Sequence, residues 1–183
     1  MAHGEIFVLA PDPQAARAAA DRLFAALAGD LAAVLPATAE LLHVGATAIP
    51  GCLTKGDLDI VVRVEAADFA QADAALAGRF TRNTGSDRTE DFAAFEDGDR
   101  VPPLGIQLVV RGGAYDDFHR FAEALRRDPD RLRRYNDLKR AFHGRPMEAY
   151  RAAKGAFIAS VLHAAVADAP DPAKIASPPH RGE

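Results

Sequence analysis

Apolar residues recur along the chain with two different periods. Ala16, Ala20, Leu23, Phe24 and Leu27 lie on one face of a helix that opens at Asp12-Pro13 and is expected to stop near Gly29. A short helical turn around Leu31–Leu35 follows. Alternating or wholly apolar runs predict strands at Glu5–Leu9, Thr38–Val44, Asp57–Val64, Arg79–Asn83, Glu90–Glu96 and Leu104–Val110, with a helix at Ala66–Ala77 between the third and fourth. From Asp116 only helical periodicity remains. One helix runs to Arg126, a second from Asp128-Pro129 to Gly144, and a third from Pro146 through Val161. The expectation is an α+β fold: a mixed sheet of five or six strands with helices packed on it, followed by a C-terminal helical segment. We expect one domain over residues 1–167, with a sheet core at 1–114, a helical segment at 115–167, and a disordered proline-rich tail at 168–183.

Composition narrows this picture. The chain has 183 residues, 49% apolar and 26% charged, enough for a core and typical of a globular protein. No run of apolar residues is long enough to span a membrane. The N-terminal stretch lacks a basic region followed by a long apolar one, and the only cysteine is Cys52. The expected compartment is therefore the cytoplasm. A net charge of −4 argues against a broad nucleic-acid surface. The charge is uneven: residues 1–110 carry 8 Lys/Arg against 16 Asp/Glu, whereas residues 111–154 carry 12 against 7. An acidic first part facing a basic second part could hold a metal and a polyanion between them. Arginine-rich helices with solvated faces explain the numbers equally well.

Asp57-Leu58-Asp59 opens the strongest strand. Side chains two apart on a strand share a face, about 6.6 Å apart. Two carboxylates on one exposed face repel unless a cation sits between them. Mg²⁺ suits the place, since it is typically held by one or two carboxylates plus phosphate oxygens; charges that blunt a strand edge are the alternative. Upstream, Gly45-Ala46-Thr47 follows a strand, and its small residues let backbone N–H groups approach a phosphate. Lys55 could reach the same phosphate or be solvated. In the helices, Tyr135 and Lys139, and Tyr150 and Lys154, are four apart and share faces. Lys154 lies on the inward face of its helix, where it must meet a phosphate or pair with an acid such as Asp59. His43 reads as a core or edge histidine and Cys52 as an inert thiol.

These residues resemble the GrpB family, also called UPF0157, within the nucleotidyltransferase superfamily that includes DNA polymerase β. The likeness rests on His43-Val44-Gly45-Ala46-Thr47, Ile49-Pro50-Gly51 and Asp59-Ile60. It continues through Phe121, Leu125-Arg126, Pro129, Tyr135, Leu138-Lys139, Tyr150, Lys154 and Phe157-Ile158, covering roughly residues 5 to 162. The resemblance implies a nucleotidyltransferase-like fold and transfer of an NMP group from a nucleoside triphosphate to an unidentified acceptor. Asp57 and Asp59 would be catalytic and hold Mg²⁺ or Mn²⁺. Gly45, Ala46, Thr47, Lys55, Gln107, Lys139, Tyr150 and Lys154 would position nucleotide or acceptor. The chain departs from the superfamily pattern where Ala46 replaces a serine. It departs again on the strand Leu104–Val110, where Gln107 is the polar residue in place of a third acid. An amide accepts hydrogen bonds but is neither an anionic ligand nor a general base. The alternative function is a non-catalytic nucleotide-binding or accessory module.

Overall fold

The computed structural model describes residues 5–167 of the chain. Helix α1 (Pro13–Ala32) leads to strands β1 (Glu40–Val44) and β2 (Leu58–Val64). Helix α2 (Phe69–Ala77) precedes strands β3 (Thr81–Arg82), β4 (Phe92–Asp97) and β5 (Leu104–Val110). Helices α3 (Phe118–Arg127), α4 (Pro129–Phe142) and α5 (Met147–Ala167) complete the order. The strands form one mixed sheet in the order β1-β2-β5-β4-β3, in which only the β2–β5 pair is parallel. This is the expected α+β architecture.

Strand β2 is wholly apolar on one face, and on the other Val61 is buried between the half-buried Asp59 and Arg63. Leu58, Ile60, Val62 and Val64 enter the main core with Leu27 and Leu31 of α1 and Phe69, Ala72 and Leu76 of α2. Val61 points the other way, into a second cluster with Val44, Phe92, Ala94 and Val109, which Phe118 of α3 covers. Each such fully buried aliphatic side chain contributes roughly 1.5–3 kcal/mol. The Asp59 face is therefore not the open face that the Asp-x-Asp spacing suggests. Asp59 sits where this covered face ends.

Two helices start as their sequences demand. The Asp12 carboxylate accepts from the backbone N–H groups of Gln14 and Ala15 at 3.0 and 2.9 Å, with Pro13 in the first turn. Asp128 does the same for Asp130 and Arg131 at 2.9 and 3.0 Å, with Pro129 following. Each cap contributes about 1 kcal/mol.

Three expectations are corrected. Gly29 does not stop α1, because Leu31 continues the buried face and outweighs the roughly 1 kcal/mol cost of a helical glycine. The strand expected at Arg79–Asn83 shortens to Thr81–Arg82, an exposed edge. Glu5–Leu9 forms no strand of the sheet. It docks on the α4–α5 turn through an isolated bridge, Ile6 to Pro146, and through backbone bonds of Phe7 to Arg145 and Gly144. The alternation of Glu5-Ile6-Phe7-Val8-Leu9 does describe an extended segment, but its partner is a helix turn. The tail expected at 168–183 lies outside the described residues.

Candidate functional site

The antiparallel register brings the end of β1 beside the start of β2, with Val44 opposite Asp59, and the parallel register sets Gly105 of β5 on the other side of Asp59. Position 45 requires glycine, and Gly105 leaves little room for a side chain. Gly45 has φ +73°, and a Cβ there would lie 2.3 Å from Asp59 Oδ2; at Gly105 it would lie 3.1 Å from Oδ1. The Asp59 carboxylate is thus cradled between two backbones. It forms part of the lining of a cavity of about 340 Å³, walled by the Gly45–Asp57 loop, the starts of β2 and α3, and the facing sides of α4 and α5.

The loop is anchored from beneath. Thr47, almost fully buried, donates its hydroxyl to the Asp57 carbonyl at 2.9 Å and lies 3.0 Å from His43 Nε2. His43 Nδ1 is 3.1 Å from Asp21 Oδ1, and burial lowers the histidine's pKa against the pull of that carboxylate. From α4, the Asn136 amide accepts from Leu53 N at 2.8 Å and donates to Gly51 O at 2.9 Å. Lys139, 2% exposed, donates to the Leu53 carbonyl, lies 3.4 Å from Cys52 Sγ, and sits 4.3 Å from the centre of the Tyr135 ring. Burial pulls its ammonium below the ordinary lysine range and pushes the Cys52 thiol up, so Cys52 is no ready nucleophile.

Charges of both signs meet here. Burial, then the neighbouring Asp57, push the Asp59 carboxyl up to about 6, against the pull of Lys154, Lys55 and Lys139. Lys55 Nζ is 3.1 Å from Asp57 Oδ2; burial lowers its pKa, but Asp57 and Asp59 outweigh this and hold it above the usual lysine value. Lys154 is half-buried and has no hydrogen bond or ion pair with a described residue. The pairing of Lys154 with Asp59, one of the two options open from the sequence, is not formed. Tyr135 and Tyr150 share a hydroxyl hydrogen bond and both are raised by burial; Phe7 stacks on Tyr150 with ring centres 3.7 Å apart.

Every candidate residue named from the sequence except Thr47 lines this one cavity: Gly45, Ala46, Lys55, Asp57, Asp59, Gln107, Lys139, Tyr150 and Lys154. Thr47 spends its hydroxyl on the loop itself. The charge asymmetry divides into two parts. Arg127, Arg133 and Arg140 pair with acids on their own helices and make solvated faces, while Lys139 and Lys154 turn inward. Sequence reasoning misses Phe7, Thr54, Asp117, Phe118 and Phe121, which also line the cavity. Phe7 falls in a stretch that reads as a strand, and Asp117 falls inside the helix expected from Asp116.

A carboxylate pair and three lysines line one cavity at the end of a mixed sheet in an α+β protein. Comparison with known proteins places the chain more closely. Residues 10–164 match the GrpB protein family. A UPF0157 protein of Vibrio cholerae serotype O1 is 33% identical over 147 residues, 80% of this chain and 77% of that protein. The crystal structure of the conserved protein GrpB from Enterococcus faecalis superposes with TM-score 0.62 and 20% identity, over 80% of this chain and 92% of its own. The chain belongs to the GrpB family. Cid1 poly(U) polymerase bound to MgATP superposes at TM-score 0.47 and 12% identity, over 68% of this chain and 40% of its own, too slight a likeness to bear on function. Among the described residues no helix is long and apolar enough to cross a membrane.

Proposed function

We propose that the cavity binds a nucleoside triphosphate with Mg²⁺ or Mn²⁺ and transfers its nucleotidyl group to an acceptor. The observation that carries this reading is the convergence on one cavity of two adjacent carboxylates, Asp57 and Asp59, with Lys154, a cation that makes no hydrogen bond or ion pair with a described residue. The donor set fits the metal. Asp59 is a carboxylate made costly to ionise by burial and by Asp57, which a hard divalent cation between the two would relieve. Asp57 and Asp59 would hold the ion, whose chemistry is to neutralise phosphate oxygens and stabilise developing charge. Lys154 takes a phosphate oxygen in a charge-assisted hydrogen bond, and the Gly45-Ala46 backbone offers an approach without side-chain obstruction. Phe7 and Tyr150 give an apolar wall that excludes water.

One observation favours the second reading, a nucleotide-binding module without turnover. Among the described residues no cluster of three acidic, histidine or cysteine side chains is arranged to hold a metal, and Gln107 supplies no charge. Incubating the protein with Mg²⁺, each nucleoside triphosphate and a panel of small acceptors, with pyrophosphate and added NMP read by assay and mass, separates the two. Pyrophosphate release that Asp59→Asn abolishes supports transfer. Tight nucleotide binding without release supports the module.

A further inference from the structure

Asp117 stands at the N-cap of α3, yet its carboxylate does not cap the helix. Asp12 and Asp128, at the same position on α1 and α4, each accept two backbone N–H groups. The Asp117 side chain takes no hydrogen bond or ion pair from another described residue. Its neighbour Asp116 is by contrast fully engaged, with Arg63 at 2.6 and 2.7 Å and Gly112 N at 2.8 Å. Asp117 instead lines the cavity, next to Phe118 and Phe121.

A second orphan lies on the same cavity. The Gln107 amide oxygen is buried with no hydrogen-bond partner. Left without a donor away from water, the Gln107 oxygen costs about 1–3 kcal/mol, and Asp117 is a half-buried carboxylate on the same cavity with no donor, so a ligand that brings donors suits both. The charged groups acting on Asp117 are Arg120, Asp116 and His119; those acting on Asp59 are Asp57, Lys154, Lys55 and Lys139. The cavity therefore has two electrostatic ends. One is cationic and carries the carboxylate pair. The other is an unpaired carboxylate set against aromatic rings.

We infer that Asp117, with Phe118 and Phe121, forms a second subsite that takes a hydrogen-bond-donor group, an amine or a hydroxyl, carried on an apolar body. On the nucleotidyl-transfer reading, on which only this name rests, that molecule is the acceptor. An unpaired carboxylate favours an ammonium over a hydroxyl, and the rings bury the attached apolar part. Asp117 is half-buried at the cavity wall, and that burial raises its pKa.

Three probes of one shape test this: benzylamine, benzyl alcohol and benzyl methyl ether, titrated to millimolar concentration into the full chain and followed by amide chemical shifts. Benzylamine is expected to shift the Phe118, Phe121 and Gly45 resonances and to bind more tightly than the alcohol, with the ether weakest. Asp117→Asn keeps the shape and should weaken benzylamine by about tenfold, the loss of one charge-assisted bond, whereas Asp30→Asn on the exposed face of α1 should not. Gln107→Leu should weaken the alcohol. Equal binding of amine and ether, unchanged benzylamine affinity in Asp117→Asn, or no shift in the cavity with any probe would overturn the subsite. MgATP binding by wild type is measured separately, so failure of the nucleotide reading and failure of this subsite show as different results.

Discussion

Replacing Asp59 by Asn should stabilise the metal-free protein at neutral pH, and the size of the gain should depend on pH in a defined way. The Asp59 carboxyl is raised to about 6 by burial and by Asp57, whereas in the unfolded chain it returns to the ordinary aspartate value of about 3.9. Above pH 6 the folded state carries a charge it resists, at a cost of about 3 kcal/mol, the free energy that separates those two titration points. Between pH 6 and pH 4 the folded state keeps its proton while the unfolded chain has lost it, so stability rises as pH falls. Below about pH 4 both states are protonated and the cost vanishes. Asn removes the charge at nearly constant shape. Urea denaturation of both proteins in EDTA should therefore show the variant more stable by about 3 kcal/mol at pH 7.5 and by less than about 1 kcal/mol at pH 4. The first figure corresponds to a melting-temperature rise of about 6–12 °C for a chain of this size. Other titrating groups act on both proteins, so the difference reports the Asp59 charge together with its interactions with Asp57, Lys154 and Lys55. A variant less stable than wild type at pH 7.5, or a difference that does not change with pH, would rule out a buried, costly charge at Asp59.

Lys154→Met should weaken MgATP binding by about ten- to a hundredfold while leaving the apo melting temperature nearly unchanged, because no described acid loses a hydrogen bond or ion pair; marked unfolding in calorimetry would contradict this. Asn136→Ala strands Leu53 N and Gly51 O beneath the loop and should cost about 2–4 kcal/mol in chemical denaturation. Gly45→Ala combines a left-handed backbone with a Cβ at 2.3 Å from the Asp59 carboxylate, so it should destabilise by more than about 1–2 kcal/mol and abolish nucleotide binding. A Gly45→Ala protein with wild-type stability would count against the cradle.

The elements whose chemistry is local are legible in the sequence alone. Asp12-Pro13 and Asp128-Pro129 each carry a capping acid and a proline, and both helices begin there. Strand β5 matches its expected range, Leu104–Val110, since its buried residues alternate with half-buried ones until the buried pair Leu108-Val109. Lys154 is legible as inward because it shares a helical face with Tyr150 and Phe157. What sequence reasoning misses depends on partners remote along the chain. Whether Glu5–Leu9 joins a sheet or a helix turn is decided by Gly144–Met147, more than a hundred residues away. Asp117 falls inside the helix expected from Asp116, and only the folded chain places it ahead of α3 with its carboxylate off the helix's N–H groups. The hydroxyl of Thr47 is available to a ligand on sequence grounds; only the folded loop shows that the Asp57 carbonyl takes it.

Whether the cavity at the start of β2 is a metal-dependent nucleotide site is decided by equilibrium dialysis. ATP, GTP, CTP and UTP are each dialysed against wild type, Asp57→Asn and Asp59→Asn, with Mg²⁺ and with EDTA. Wild type is expected to bind at least one nucleotide only when Mg²⁺ is present, and both variants to lose that binding while remaining folded by circular dichroism. No nucleotide bound by wild type, or equal binding by the folded variants, would contradict the assignment.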